Sequence, residues 1–369
     1  MKQNAMSTTM NLEPKLEKVQ HTTAKPGRTI GLLANNYDSD ETRLLLTPET
    51  CGRLIMNGWE INMETEAATT ISYTDSDYAQ YGVQITDRAT ALQADIVLSY
   101  APIQDADAEK MKPGSALFCM FSHAFFSRSL INILKQQRIT TLALDEVISH
   151  NGVQVFANIV DDVDGSAAIW YAQEALSFLG GGKGVLLGGI PGIMPCEILI
   201  LGMGRKVIQA AKTALALGAQ VTLMDNDMSE LQVAEQLCGD RLVTCAIHPR
   251  PLASKVKTAD VIFIDSCTHE FEFSNQYKAM VKKDAFILDF NLSSPSISTP
   301  RTVTQGLATC LYNLFSEIDL KQSLEAAIST DSGVGHGVIT YAGHLCNKLT
   351  GTVAGIHVVD LDILLANKN

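Results

Sequence analysis

The chain lacks a Cys-x-x-Cys pair, an excess of positive charge, and any uninterrupted apolar run of membrane-spanning length. Its eight cysteines (Cys51, Cys119, Cys196, Cys238, Cys245, Cys267, Cys310 and Cys346) are scattered, most of them in apolar runs where a free thiol behaves as a small hydrophobe. That pattern argues against a disulfide framework and a structural zinc, and it points to a reduced, cytoplasmic setting. No metal site is expected. A formal net charge of −12 argues against nucleic acid or an anionic membrane surface as partner. No segment approaches the ~20 apolar residues of a membrane span. Residues 1–27 are polar, with Lys15, Glu17 and Lys18 mid-stretch and no apolar core, so they read as a flexible arm rather than a secretory leader. Charged residues make up only 18% against 46% hydrophobic, which in 369 residues suits two compact domains.

What is present is concentrated in one stretch, Glu197-Ile-Leu-Ile-Leu-Gly-Met-Gly-Arg-Lys-Val207. An apolar strand breaks at Gly202-Met203-Gly204 and continues as the helical pattern Val207, Ala210, Ala211, Ala214. Such a turn aims backbone N–H groups and a helix N-terminus at an anion. A second strand, Gln220 to Met224, ends on Asp225, about 20 residues past the glycines, where an acid accepts both ribose hydroxyls of an adenosine and repels a 2′-phosphate. The unit predicts NAD as cofactor, held by Gly202, Met203, Gly204, Arg205, Lys206 and Asp225. The third fingerprint position is Val207, which implies looser packing of helix on strand. The alternative is an α/β crossover that binds no cofactor.

From Thr29 onward, short apolar runs alternate with helical patterns. Strands are expected at 30–34, 60–64, 95–99, 116–120 and 140–144, with helices between them such as 48–56 and 129–136. A long helix about Asp164 to Phe178 then stops at Gly180-Gly-Gly-Lys-Gly184, read as a crossover followed by a hinge. The second half offers strands at 198–201, 221–224, 260–264, 285–289 and 308–312. The fold class is therefore α/β: two doubly wound, Rossmann-like domains with parallel sheets, joined by a long crossover helix, with a cleft between them. The expected division is an arm at 1–27, a substrate domain at 28–158 plus 316–369, and an NAD-binding domain at 159–315.

Three passages resemble the family of alanine dehydrogenase and the alpha subunit of pyridine-nucleotide transhydrogenase. They are Asn35 to Pro48, with Arg43 shortly before Thr47-Pro48; Gly181-Gly-Lys-Gly-Val-Leu-Leu-Gly-Gly-Ile-Pro191-Gly; and the fingerprint through Asp225. A weaker echo lies at Thr340-Tyr-Ala-Gly-His-Leu. The resemblance implies that Arg43 binds a substrate carboxylate, for which a guanidinium fork is well matched; the alternative is a surface arginine beside a helix start. It also implies that Asn313 belongs to the last strand of the nucleotide domain, near the cofactor.

At other positions the chain departs from the family. The substrate-binding lysine is Tyr100. The catalytic histidine falls on Ser122, with His123 one residue out of register, either an acid/base group or a buried histidine at a strand end. The dehydrogenase aspartate falls on Ser293. A position near the nicotinamide that often carries serine falls close to Asp161, within Asp161-Asp162-Val-Asp164, acids that serve either the site or the cap of the crossover helix. The leading expectation is a divergent NAD-dependent oxidoreductase acting on the amino or imino carbon of a small carboxylate other than alanine. His123, Tyr100 and Asp161 are its candidate proton handlers. The alternative is an NAD(H)-binding protein with little catalysis, a sensor or an assembly subunit. The apolar content of the tail from Gly351 onward fits a homo-oligomer interface or an intramolecular packing.

Overall fold

The computed structural model describes residues 28–35, 40–120, 126–265, 273–321, 323–330 and 332–366. Its strands, in chain order, are β1 (Thr29–Leu32), β2 (Glu60–Glu64), β3 (Gln84–Thr86), β4 (Ile96–Ser99), β5 (Ala116–Cys119) and β6 (Thr140–Ala143) in the first half. The second half holds β7 (Glu197–Leu201), β8 (Gln220–Met224), β9 (Val243–Cys245), β10 (Val261–Ile264) and β11 (Phe286–Asp289); β12 (Val338–Tyr341) and β13 (His344–Leu345) lie in the tail. They build two sheets, one ordered β13-β12-β6-β5-β4-β1-β2-β3 and one ordered β11-β10-β7-β8-β9. Neighbours are parallel except where β12 meets β6 and β13. Strands such as β4, β5 and β10 are buried along their whole length, as sheets covered on both faces require. The architecture is the expected pair of Rossmann-like α/β domains.

The tail strands close the first sheet as an antiparallel edge hairpin. Its two-residue turn, Ala342 (φ 51°) and Gly343 (φ 88°), has the left-handed backbone that tight hairpins prefer. The strand expected at 308–312 is instead part of a helix, Pro300–Leu320. Proline in the first turn starts it, and Val303, Leu307, Leu311, Leu314 and Ile318 recur at three- and four-residue spacing, all buried. These residues pack into the core of the first half, so the chain returns to that half from Pro300 and not from 316.

The crossover helix begins earlier than expected and runs from Val155 to Leu176. Phe156 is buried in the first core, with Ile159, Val160 and Val163 against it, whereas Ala168, Ile169, Ala172 and Leu176 belong to the second. Asp161, Asp162 and Asp164 therefore lie inside the helix and cap nothing; the N-cap is Gln154. Val207 is fully buried, and the close approach at that point comes from the crossover helix: a Cβ on Gly165 would lie 2.2 Å from the Lys206 carbonyl.

The glycine loop does not separate the halves. Gly182, Gly184 and Val185 donate back to carbonyls at the helix end, and Leu176 and Leu187 on either side share the second core. Lys183 reaches Asp260 at 2.5 Å, and Lys282 reaches the same oxygen at 2.9 Å. A Cβ on Gly182 would lie 2.0 Å from the Ala175 carbonyl, so the glycines permit a tight helix end rather than a hinge. No described helix is long and apolar enough to cross a membrane.

Candidate active site

β7 ends at Leu201 and is followed by Gly202, whose φ of 96° suits glycine and whose would-be Cβ lies 1.9 Å from the Asp265 carbonyl. Its N–H donates to the Met224 carbonyl at 2.9 Å, fixing the turn against the end of β8. Gly204 is extended (φ 172°) and opens the helix Arg205–Ala216. Met203 is buried in the second core, so only its backbone is available to a ligand. Asp225, directly after β8, is buried. One carboxylate oxygen accepts the Asp227 N–H at 2.7 Å; the other is buried with no partner among the described residues. An orphaned acceptor is costly unless a ligand meets it, and the two hydroxyls of an adenosine ribose are suitable donors. The glycine turn and this oxygen together fit NAD(H).

Arg205 and Lys206 direct their charges elsewhere. Arg205 forms a two-point pair with Asp162 at 2.8 and 2.6 Å. Lys206 lies 3.3 Å from Asp164 and 3.8 Å from Asp161. Both lysine contacts bring the helix behind the glycine turn onto the crossover helix, beside a cleft of ≈ 980 Å³ between the halves.

Arg43, Tyr100, Asp161, Asp164, Lys206 and Ser294 all line that cleft. Arg43 is buried, not a surface arginine. Its Nε and Nη2 each donate at 2.7 Å to the two carboxylate oxygens of Glu41, and its Nη1 donates to Ser294 and Ser296 Oγ at 2.9 Å. Burial acts to lower its pKa, but the Glu41 hydrogen bond and neighbouring charges hold it above its ordinary value. The Tyr100 ring lies 4.4 Å from the guanidinium carbon, a cation–π stack, and burial pushes its phenol well up, so it remains protonated.

Asp164, fully buried, ties the halves together. It accepts from Ser294 Oγ at 2.9 Å and from the Ser296 N–H at 2.8 Å while facing Lys206. One chain of contacts thus runs Glu41–Arg43–Ser294–Asp164–Lys206. Asp161 sits at its end. Burial raises its carboxyl to about 6, with Lys206 opposing and Asp164, Asp265 and Asp162 adding to the rise.

Of the sequence-derived residues, Arg43, Tyr100, Asp161 and Lys206 meet in the cleft, and Ser293 is exposed on its rim. His123 and Ser122 lie outside the described residues. Asn313 is not on a strand of the nucleotide domain: it is exposed on the helix Pro300–Leu320, between Leu311 and Leu314 of the first core. Sequence reasoning missed Glu41, Ser294, Ser296 and the inward role of Asp164. Glu41 stands two residues before Arg43, a spacing at which an extended segment puts side chains on one face. Nothing local marks the serines, which act across about 250 residues of chain. Among the described residues, no group of three or more His, Cys, Asp or Glu is placed to hold a metal.

The family described as alanine dehydrogenase/PNT matches residues 33–159 with its N-terminal domain and residues 168–265 with its C-terminal domain. Alanine dehydrogenase 2 of Staphylococcus aureus is 28% identical over 347 residues, covering 84% of this chain and 92% of the relative. An alanine dehydrogenase of Staphylococcus epidermidis is 29% identical over 225 residues, 61% of this chain and 60% of that one. Among solved structures, an L-alanine dehydrogenase superposes with a TM-score of 0.78 at 23% identity, over 88% of this chain and 98% of its own. A transhydrogenase from Sinorhizobium meliloti gives 0.69 at 14% identity, over 87% and 99%; these two likenesses concern the fold. The chain belongs to the alanine dehydrogenase/PNT family as a divergent member, an oxidoreductase that uses NAD.

Proposed function

We propose that the protein oxidises or forms the amino carbon of a carboxylate-bearing substrate other than alanine, with Arg43 as the carboxylate anchor. The observation that carries this reading is the shared cleft: Arg43 and the nucleotide-side residues Asp164, Lys206 and Ser294 line one cavity and are joined by hydrogen bonds and ion pairs. NAD, held at the glycine turn with its ribose on Asp225, would accept or return the hydride. In the oxidative direction the amino carbon gives up its hydride, the nitrogen loses a proton, and water hydrolyses the resulting imine to a keto acid and ammonium.

Among the described residues, Asp161 is the group in the cleft that suits the proton, since a carboxyl near 6 changes state close to neutral pH. Tyr100 keeps its proton and positions Arg43 through ring stacking. The identity of the relatives as alanine dehydrogenases supports amino-acid chemistry, while Tyr100 and Ser293, in place of the family's lysine and aspartate, support a different substrate.

A second reading, an NAD(H)-binding sensor with little catalysis, is favoured by Glu41 already pairing with Arg43. The two separate in one series: NADH and NADPH titrations, then keto acids with ammonia or amines followed by loss of NADH absorbance. NADH preference with turnover abolished by Arg43→Ala is expected. Tight NADH binding without turnover on any substrate, unaltered by Arg43→Ala, sinks the enzymatic reading.

We also read the protein as cytoplasmic and homo-oligomeric. Exposed Phe178, Leu179, Ile193 and Met194 support an apolar self-contact, alongside the tail from Gly351.

A further inference from the structure

Lys206 stands where a cation is disfavoured. It is the second residue of the helix Arg205–Ala216, at the end whose dipole attracts anions, and no acid shares that first turn. Its backbone is fixed by the close approach of Gly165, whose would-be Cβ lies 2.2 Å from the Lys206 carbonyl. Its side chain is 26% exposed and lines the cleft beside Asp161 and Asp164.

The two aspartates depend on this lysine unequally. Asp164 is fully buried, but Ser294 Oγ and the Ser296 N–H already donate to it at 2.9 and 2.8 Å. Asp161 has no such donors. Among the described residues its carboxylate pairs only with Lys206, Nζ to Oδ1 at 3.8 Å. Asp162 does not compete for the lysine, because Arg205 takes both of its oxygens at 2.8 and 2.6 Å.

The charges around Asp161 make that one contact matter. Burial pushes its carboxyl up, and Asp164, Asp162 and Asp265, which directly follows β10, push it further; Lys206 is the cation that opposes them. Across the cleft the first domain adds Asp40, Asp105 and Asp145, while Arg43 there is held by Glu41. Without Lys206, a carboxyl so placed keeps its proton to higher pH and loses its use as an acceptor.

We propose that Lys206 is a positioning residue for Asp161: it draws that carboxylate into the cleft and keeps it able to release and retake a proton close to neutral pH. The catalytic half of the inference rests on the reading of Asp161 as the group that handles the substrate proton.

The test follows the melting temperature of the full chain from about pH 4 to 9 in wild type, Lys206→Met and Lys206→Arg, each with and without Asp161→Asn, so that the difference within a pair reports Asp161. In wild type that difference declines with pH and levels off above about 6. Lys206→Met raises the folded carboxyl further above its unfolded value, so the decline runs on by about one pH unit or more, the effect of removing an opposite charge about 4 Å away. Lys206→Arg keeps the charge and levels off where the wild type does. Should Lys206→Met not fold, Lys206→Gln removes the same charge.

An unmoved levelling point in Lys206→Met overturns the inference, as does a Lys206→Arg curve that matches Lys206→Met. In the keto-acid series, the pH at which kcat/KM breaks is expected to move with the levelling point. A levelling point that moves while the kcat/KM profile stays put overturns the catalytic half, and with it the proton role of Asp161, but leaves Arg43 as anchor. Absence of turnover on any substrate sinks the enzymatic reading by itself, and the melting curves still decide the pairing.

Discussion

Two charged groups, Asp225 and Arg43, proposed here to meet the cofactor and the substrate, stand in opposite states. Asp225 keeps a buried oxygen without a partner among the described residues, whereas Arg43 has its fork filled by Glu41 and its other nitrogen held by two serines. The first carries the cost of a lone buried oxygen, which the donors of a bound ligand would offset. The second is a site stabilised without one.

That contrast predicts where each lesion is felt. The largest effect belongs to the filled side. Asp164→Ala leaves Lys206 and the Ser296 N–H without their buried acceptor, and about 3 kcal/mol of stability is expected to go, seen as a lowered denaturant midpoint. On the open side, Asp225→Asn is expected to leave the melting temperature of the ligand-free protein unchanged while weakening NADH by about tenfold or more, since a charge-assisted hydrogen bond is worth about 1.5–3 kcal/mol. A large loss of stability in Asp225→Asn with NADH affinity intact would erase the distinction.

Between the two lies Asp161. Its folded carboxyl titrates near 6, above the unfolded value of about 3.9, so the folded state holds the extra proton and stability falls as pH rises through that window. The decline is complete above about pH 6, and Asp161→Asn is expected to flatten it in melting curves from pH 4 to 7. The smallest effect is expected for Arg205→Ala. Its pair with Asp162 is half exposed and contributes about 0.5 kcal/mol, so cofactor affinity and stability should both remain near wild type.

How far the sequence carried this picture depended on how local each signal was. The run Ile198 to Leu201 was legible because apolar stretch, turn glycine and following helix stand next to one another, and β2 because it follows a helix that ends just before Gly58. Ala308 to Tyr312 misled because a short β-prone segment resembles a strand until the spacing from Val303 to Ile318 is read as a whole. The three-residue β3 and β9 were too short to leave a pattern. Within the site, Arg43 and Asp225 were found through motifs, whereas Ser294 and Ser296 gain meaning only when the topology brings the end of the second half over Arg43. Asp161 to Asp164 were ambiguous until the helix start moved to Val155, which removed capping and left the interior role.

The crossover helix contributes its first turns to one core and its last turns to the other. Neither half can lose its packing without uncovering apolar residues on a rod that the other half still grips. Thermal or denaturant unfolding should consequently pass through one cooperative step, and proteolytic nicking should not release a stable nucleotide-binding fragment.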